Sequence, residues 1–130
     1  MSATEMNMDQ LKKLKQNPNQ EVVVMLNLLK FKPNGGLESY KQYIQAASPF
    51  VEAVGGKTIY LGKPDELLNG DETWDLMMLV QYPSRAAFLD MANDPEYIKI
   101  HAYREEAVEK AMLYAIDRIG YRCLLDMQED

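Results

Sequence analysis

One cysteine, Cys123, and one histidine, His101, are the only such residues in the chain. A disulfide within the chain is therefore excluded, and no zinc cluster of cysteines and histidines can be assembled. Positive charge is also in short supply. Fourteen Lys and Arg stand against twenty Asp and Glu, for a formal net charge of -6. That balance argues against nucleic acid or an anionic membrane as a partner. The one dense basic stretch, Lys12, Lys13 and Lys15, reads as the solvated side of a terminal helix. No apolar run is long enough to span a bilayer. The N-terminus has no basic segment followed by an apolar core, so the expected location is the cytoplasm. The pairs Gly35-Gly36 and Gly55-Gly56 lack the spacing of a phosphate-binding loop. Asp65, Glu66, Asp71 and Glu72 flank a turn and read as solvated, not as a calcium loop. No metal and no cofactor is expected.

What the chain does have is apolar length in two places. Residues 22–29 read VVVMLNLL and residues 76–80 read LMMLV. A strand with one wet face alternates apolar and polar residues; these do not, so each reads as a strand buried on both faces. A chain of 130 residues, 47% apolar, fits one domain with a real core. Its own helices can cover one face of a sheet. The other face then needs a second copy, which predicts a homodimer.

The division along the chain is an arm over residues 1–20 and a domain over 21–130. In the arm, Thr4 is placed to cap a short helix carrying Met8, Leu11 and Leu14, ended by Asn17-Pro18-Asn19. The first strand is expected over 22–31. A helix follows over 37–54, with the stripe Leu37, Tyr40, Ile44, Ala47 and Val51 at helical spacing and Pro49 as a kink. A second strand over 57–68, interrupted near Gly62–Pro64, leads to Asn69-Gly70, a hairpin signal. The third strand is expected over 74–82. Ser84 caps a short helix with Phe88 and Met91 inward, and Asp94-Pro95 starts another helix reaching residue 111. A fourth strand over 113–119 follows. Tyr121, Cys123 and Leu125 suggest a further edge strand or tail. The order β-α-β-β-α-β is the ferredoxin-like α+β unit with an antiparallel sheet.

Within that frame a few residues stand out for chemistry. Asn27 is the polar exception in the first apolar run. A buried amide needs partners, so it is either a structural amide or a group that faces a ligand. On the last helix Tyr97, Ile100, His101, Arg104, Val108 and Ala111 share one face. His101 suits general acid–base work near neutral pH; the plainer alternative is a core-satisfied or partly exposed histidine. Arg104 suits a carboxylate or a polarised carbonyl, or else an ion pair with Asp75. Trp74 is either packing or ligand wall. Tyr40, Tyr43, Tyr60, Tyr97 and Tyr114 make the expected core aromatic, which fits both a flat organic ligand and an ordinary interior. Met77-Met78 reads as adaptable filler.

Several short motifs occur in a familiar order: Asn27-Leu28-Leu29-Lys30-Phe31, Gly55-Gly56, Trp74-Asp75, Tyr82-Pro83-Ser84 with Phe88, and Asp94-Pro95-Glu96-Tyr97 with Arg104. In these the chain resembles domain-of-unknown-function family 1330, within the dimeric α+β barrel superfamily. The resemblance implies two ferredoxin-like subunits with their sheets face to face. It implies no particular reaction, because relatives in the superfamily look like cofactor-free monooxygenases, isomerases, haem-handling enzymes and effector-binding domains. Three readings follow. The first is a small homodimeric enzyme without metal or nucleotide, in which His101, Arg104 and Asn27 are catalytic and Tyr43, Tyr60, Trp74, Asp75 and Tyr97 line a pocket for a small hydrophobic or aromatic molecule. Its reaction would be an oxygenation or an isomerisation. The second is a binding or sensing module with the same pocket and no chemistry. The third is a dimer with a filled core.

Overall fold

The computed structural model describes residues 6–129, so the expected cap Thr4 lies outside the described residues. The elements are α1 (Met8–Gln16), β1 (Val23–Phe31), α2 (Gly36–Ala53), β2 (Lys57–Gly62), β3 (Leu76–Tyr82), α3 (Arg85–Ala92), α4 (Pro95–Ala107), β4 (Val108–Ile116) and α5 (Tyr121–Leu125). Four strands form one sheet in the order β2-β3-β1-β4, with every pairing antiparallel. This is the ferredoxin-like order expected from the sequence, with α2 and α4 as the crossover helices. Among the described residues no helix is long and apolar enough to cross a membrane.

The apolar runs lie where expected, but within one subunit they are not equally buried on both faces. In β1, Val23, Met25, Asn27 and Leu29 are buried while Val24, Leu26 and Leu28 are only half-buried. Side chains alternate across a strand, so the first set faces the helices and the second the opposite side. The second set continues sideways. Leu26 lies opposite Leu79 and Tyr114, Leu28 opposite Met77 and Met112, and Val24 opposite Ile116. Tyr60 of β2 joins this face through Leu79. The result is an apolar sheet face that the helices leave uncovered.

Local chemistry explains the helix starts. Ser84 Oγ accepts from Ala87 N–H at 3.1 Å, and Asp94 Oδ1 accepts from Glu96 N–H at 2.8 Å. These satisfy donors that the first turn leaves free, and Pro95 sits where its missing N–H costs nothing. α2 begins at Gly36 because space demands it: a Cβ there would lie 2.6 Å from the Ala107 carbonyl oxygen. Gly55, with φ +82°, ends α2 in a conformation that side chains resist. Arg85, 4% exposed, forms a bidentate pair with Asp117 at 2.8 and 2.9 Å. Gln20 Oε1 accepts from Ala86 N–H nearby. Together these tie the segment after α1, the start of α3 and the end of β4 together, while α1 itself rests against α3.

Several boundaries depart from expectation. The second strand stops at Gly62. Pro64 has no N–H to extend a ladder, and residues 63–75 form a long irregular connection. Asn69-Gly70 is a bend inside it, with Gly70 at φ +94°, and not the tip of a tight hairpin. β3 starts at Leu76, not Trp74. Just before it, Asp75 N–H donates to the Leu29 carbonyl and Asp75 Oδ2 accepts from Phe31 N–H, at 2.8 and 2.9 Å. α4 ends at Ala107, four residues before the expected limit, and β4 follows with no loop. Val108 and Ala111 therefore belong to a strand. Their three-residue spacing fits a helical stripe, and no Gly or Pro marks the change. The tail forms the short helix α5 and not a strand, with Tyr121, Leu124 and Leu125 exposed.

Candidate functional site

α2 and α4 lie side by side over the sheet. Positions 97, 101 and 104 recur at helical spacing, which brings Tyr97, His101 and Arg104 onto one side of α4. α2 contributes Tyr40 and Tyr43 by the same rule. The Tyr43 and Tyr97 hydroxyl oxygens are 2.6 Å apart and buried, with either able to donate. The His101 ring meets both tyrosines, at 6.3 Å from Tyr43 and 6.0 Å from Tyr97 between ring centroids. Under them Asn27 rises from the middle of β1.

These side chains border a cavity of about 970 Å³ between sheet and helices. Met78, Val80 and Tyr82 form its floor with Asn27, Phe88 and Met91 come from α3, and the cavity reaches Thr58 and Leu61 of the edge strand β2. Its walls are mostly apolar and aromatic. A few polar groups converge on it, the usual make-up of a small-molecule site.

Each polar group there has an identifiable state. Burial pushes the Tyr40, Tyr43 and Tyr97 hydroxyls above the ordinary tyrosine range, and the Arg104 guanidinium pulls all three the other way. They remain protonated donors at physiological pH. The Tyr40 hydroxyl is fully buried and has no hydrogen-bond partner among the described residues. Burial lowers the His101 pKa, and Arg104 lowers it further against the opposing pull of Glu105. The imidazole is thus neutral near pH 7. Its Nδ1 lies 3.1 Å from Glu105 Oε1. A carboxylate only accepts, so Nδ1 carries the hydrogen and Nε2 keeps the lone pair. Asn27 is 8% exposed. Its one side-chain hydrogen bond among the described residues, Nδ2 donating to the Met25 carbonyl oxygen at 3.5 Å, is at the limit of such a bond.

Arg104 is 7% exposed. None of the ion pairs among the described residues includes it. The expected pairing with Asp75 is not formed, because Asp75 caps the β1–β3 ladder with its carboxylate on Phe31 N–H.

His101, Arg104, Asn27, Tyr43 and Tyr97 border one cavity. Tyr60, Trp74 and Asp75 do not line it. Tyr60 is 57% exposed. An irregularity between Thr58 and Tyr60 sets it opposite Leu79, on the uncovered sheet face, where Tyr114 also lies. Trp74 precedes β3 and packs under Lys110, whose Nζ is 4.5 Å from its ring centroid; Lys110 is also paired with Glu72. Sequence reasoning left Tyr40 out of the site. The signal was its position three residues before Tyr43 on one helix face.

A family model described as "Domain of unknown function (DUF1330)" matches residues 36–117. The chain belongs to the DUF1330 family. The DUF1330 match starts at the first residue of α2 and ends just past β4, so α4 with His101 and Arg104 is inside it, while β1 with Asn27 precedes it. Among solved structures, this DUF1330 chain is similar to RPA0582, a protein of unknown function from Rhodopseudomonas palustris. Identity is 29% over 92% of this chain and 99% of that one, with a TM-score of 0.87. At3g17210 from Arabidopsis thaliana is similar at 15% identity over 75% and 96%, with a TM-score of 0.63. A dimeric protein of unknown function and ferredoxin-like fold from Bacteroides fragilis is similar at 16% over 75% and 96%, with a TM-score of 0.55. These last two share the fold alone. No curated protein matches the chain.

Proposed function

We propose that this DUF1330 protein is a homodimer in which each subunit binds a small hydrophobic or aromatic molecule between sheet and helices. The reading is supported chiefly by the convergence of Asn27, Tyr40, Tyr97, His101 and Arg104 on one largely apolar cavity. In its enzymatic form the site works without metal or nucleotide, as an isomerase or a cofactor-free oxygenase. His101 Nε2 takes a proton from the bound molecule, Glu105 holds the opposite ring nitrogen, and Asn27 and Arg104 hold the negative charge that results.

The dimer reading is supported by the uncovered apolar sheet face and by the dimeric state of the Bacteroides fragilis protein. A stable interface of this kind buries upwards of roughly 1,200 Å² in total.

One observation favours a second reading, a binding or sensing module without chemistry. The tyrosine hydroxyls are held above the ordinary tyrosine range by burial, so they serve as hydrogen-bond donors and leave His101 as the candidate for proton transfer. A reaction needing a separate acid and base is poorly served. Incubation with a library of hydrophobic metabolites separates the two readings. Product formation, reduced about 10²-fold or more in His101→Ala, supports the enzyme. A loss below about threefold makes His101 a bystander, and binding without product favours the module.

A further inference from the structure

The cavity contains a buried cation without a counter-ion. Arg104 lies among Tyr40, Tyr43, Tyr97 and His101, close enough to bias the titration of all four. No carboxylate among the described residues comes within ion-pairing distance of it. The acids that border the cavity are Glu52 and Glu105, and Glu105 is engaged with His101. The bordering lysines, Lys41 and Lys57, are exposed on the rim, and Lys41 is paired with Glu38. A buried, uncompensated guanidinium is costly to a fold. So is a buried hydroxyl with no partner, and the Tyr40 hydroxyl lines the same cavity in that condition. Two unmet demands of this kind, one a cation and one a donor, call for an anionic acceptor from outside the chain.

The surroundings narrow the anion. The rest of the wall is Met78, Val80, Phe88 and Met91 with the tyrosine rings, which suits an apolar body, and a flat one where it meets aromatic faces. One buried Arg with one free hydroxyl matches the charge and planar fork of a carboxylate. A phosphate, with up to two charges and three acceptor oxygens, would leave charge and lone pairs unmet.

On the reading that this cavity takes a ligand, we infer that its ligand is a monocarboxylic acid with a flat apolar body, the carboxylate on Arg104 and the Tyr40 hydroxyl donating to the same group. The ligand arrives already charged. Arg104 reads that permanent charge in the bound molecule before any charge develops in a reaction.

The test compares carboxylates with their neutral amides by isothermal titration calorimetry on the full chain. The pairs are benzoate and benzamide, 2-naphthoate and 2-naphthamide, decanoate and decanamide. The expected result is binding of 2-naphthoate at least tenfold tighter than 2-naphthamide. Arg104→Gln should weaken 2-naphthoate at least tenfold and change 2-naphthamide less than threefold. Tyr40→Phe should weaken the carboxylate severalfold, again sparing the amide. Circular dichroism confirms that each variant is folded, and if neither folds, the wild-type pairs decide alone. Amides binding as tightly as carboxylates would overturn the inference and leave the cavity as a ligand site. Binding of none of the six would overturn both.

Discussion

At the scale of single residues, charge is placed with opposite consequences at two arginines. Arg85 and Arg104 are both buried, but only Arg85 has a carboxylate, and that pair joins α3 to the end of β4. Asp117→Asn would strip Arg85 of its counter-charge. The expected loss is about 2 kcal/mol, below the range for a fully buried pair because Asp117 is partly solvated; urea denaturation measures it. Arg104→Met is expected to act in the other direction. Removing an uncompensated buried charge while keeping an apolar side chain should raise the unfolding temperature of the ligand-free protein, and a clear fall would mean that Arg104 has a partner in the folded chain. His101 adds a pH signature. Its folded-state pKa is lowered from 6.5, so the unfolded chain binds the proton first as pH falls. The stability contributed by the neutral ring is complete above the unfolded pKa and is lost as pH falls toward the folded one. Wild-type unfolding temperature should therefore drop more steeply than that of His101→Gln as pH falls below 6.5. Parallel slopes in differential scanning fluorimetry would rule this out.

At the scale of elements, α4 is the piece on which the site depends. It carries Tyr97, His101 and Arg104, and its first turn is held by Asp94. Asp94→Ala should cost about 1 kcal/mol and, with Tyr97 three residues from the cap, weaken ligand binding as well as stability. Loss of stability with unchanged affinity would show that the first turn does not position the site. The fate of α4 also shows what could be read in advance. The helix and its cavity-facing side were legible, because Tyr97, His101 and Arg104 recur at helical spacing and Asp94-Pro95 marks the start. Its end was not legible, because Val108 and Ala111 continue the same rhythm and only pairing with β1 makes them strand. Asn27 could be placed because it is isolated in an apolar run. Tyr60 could not, since an irregular register two residues earlier decides which face it takes. Trp74 and Asp75 were misread for a related reason: long-range contacts with Lys110 and Phe31 hold them, and such contacts leave no local trace. The uncovered sheet face was legible in outline from the absence of alternation in the two runs.

At the scale of the whole molecule, the proposed dimer rests on that sheet face. Leu26 sits at its centre, opposite both Leu79 and Tyr114. Leu26→Asp would place a charge there that a face-to-face dimer must desolvate. Sedimentation velocity at micromolar concentration should show a dimer for the wild type and a monomer for the variant. A monomeric wild type would remove the dimer from the account. The direct passage from Ala107 to Val108 then gains a meaning beyond topology. A loop between helix and strand acts as slack, absorbing displacement on one side before it reaches the other. Here there is none, and the junction is pinned from outside by Lys32 N–H on the Ala107 carbonyl at 2.9 Å. β4 presents Met112, Tyr114 and Ile116 to the uncovered face, while α4 presents His101 and Arg104 to the cavity. The two surfaces are thus joined by one stretch of chain with no slack between them, and an event at one is expected to be felt at the other. Thermodynamic linkage makes such an effect mutual: ligand affinity should vary with protein concentration through the dimer dissociation midpoint, and a saturating ligand, bound once per subunit, should shift that midpoint by the square of the per-site factor.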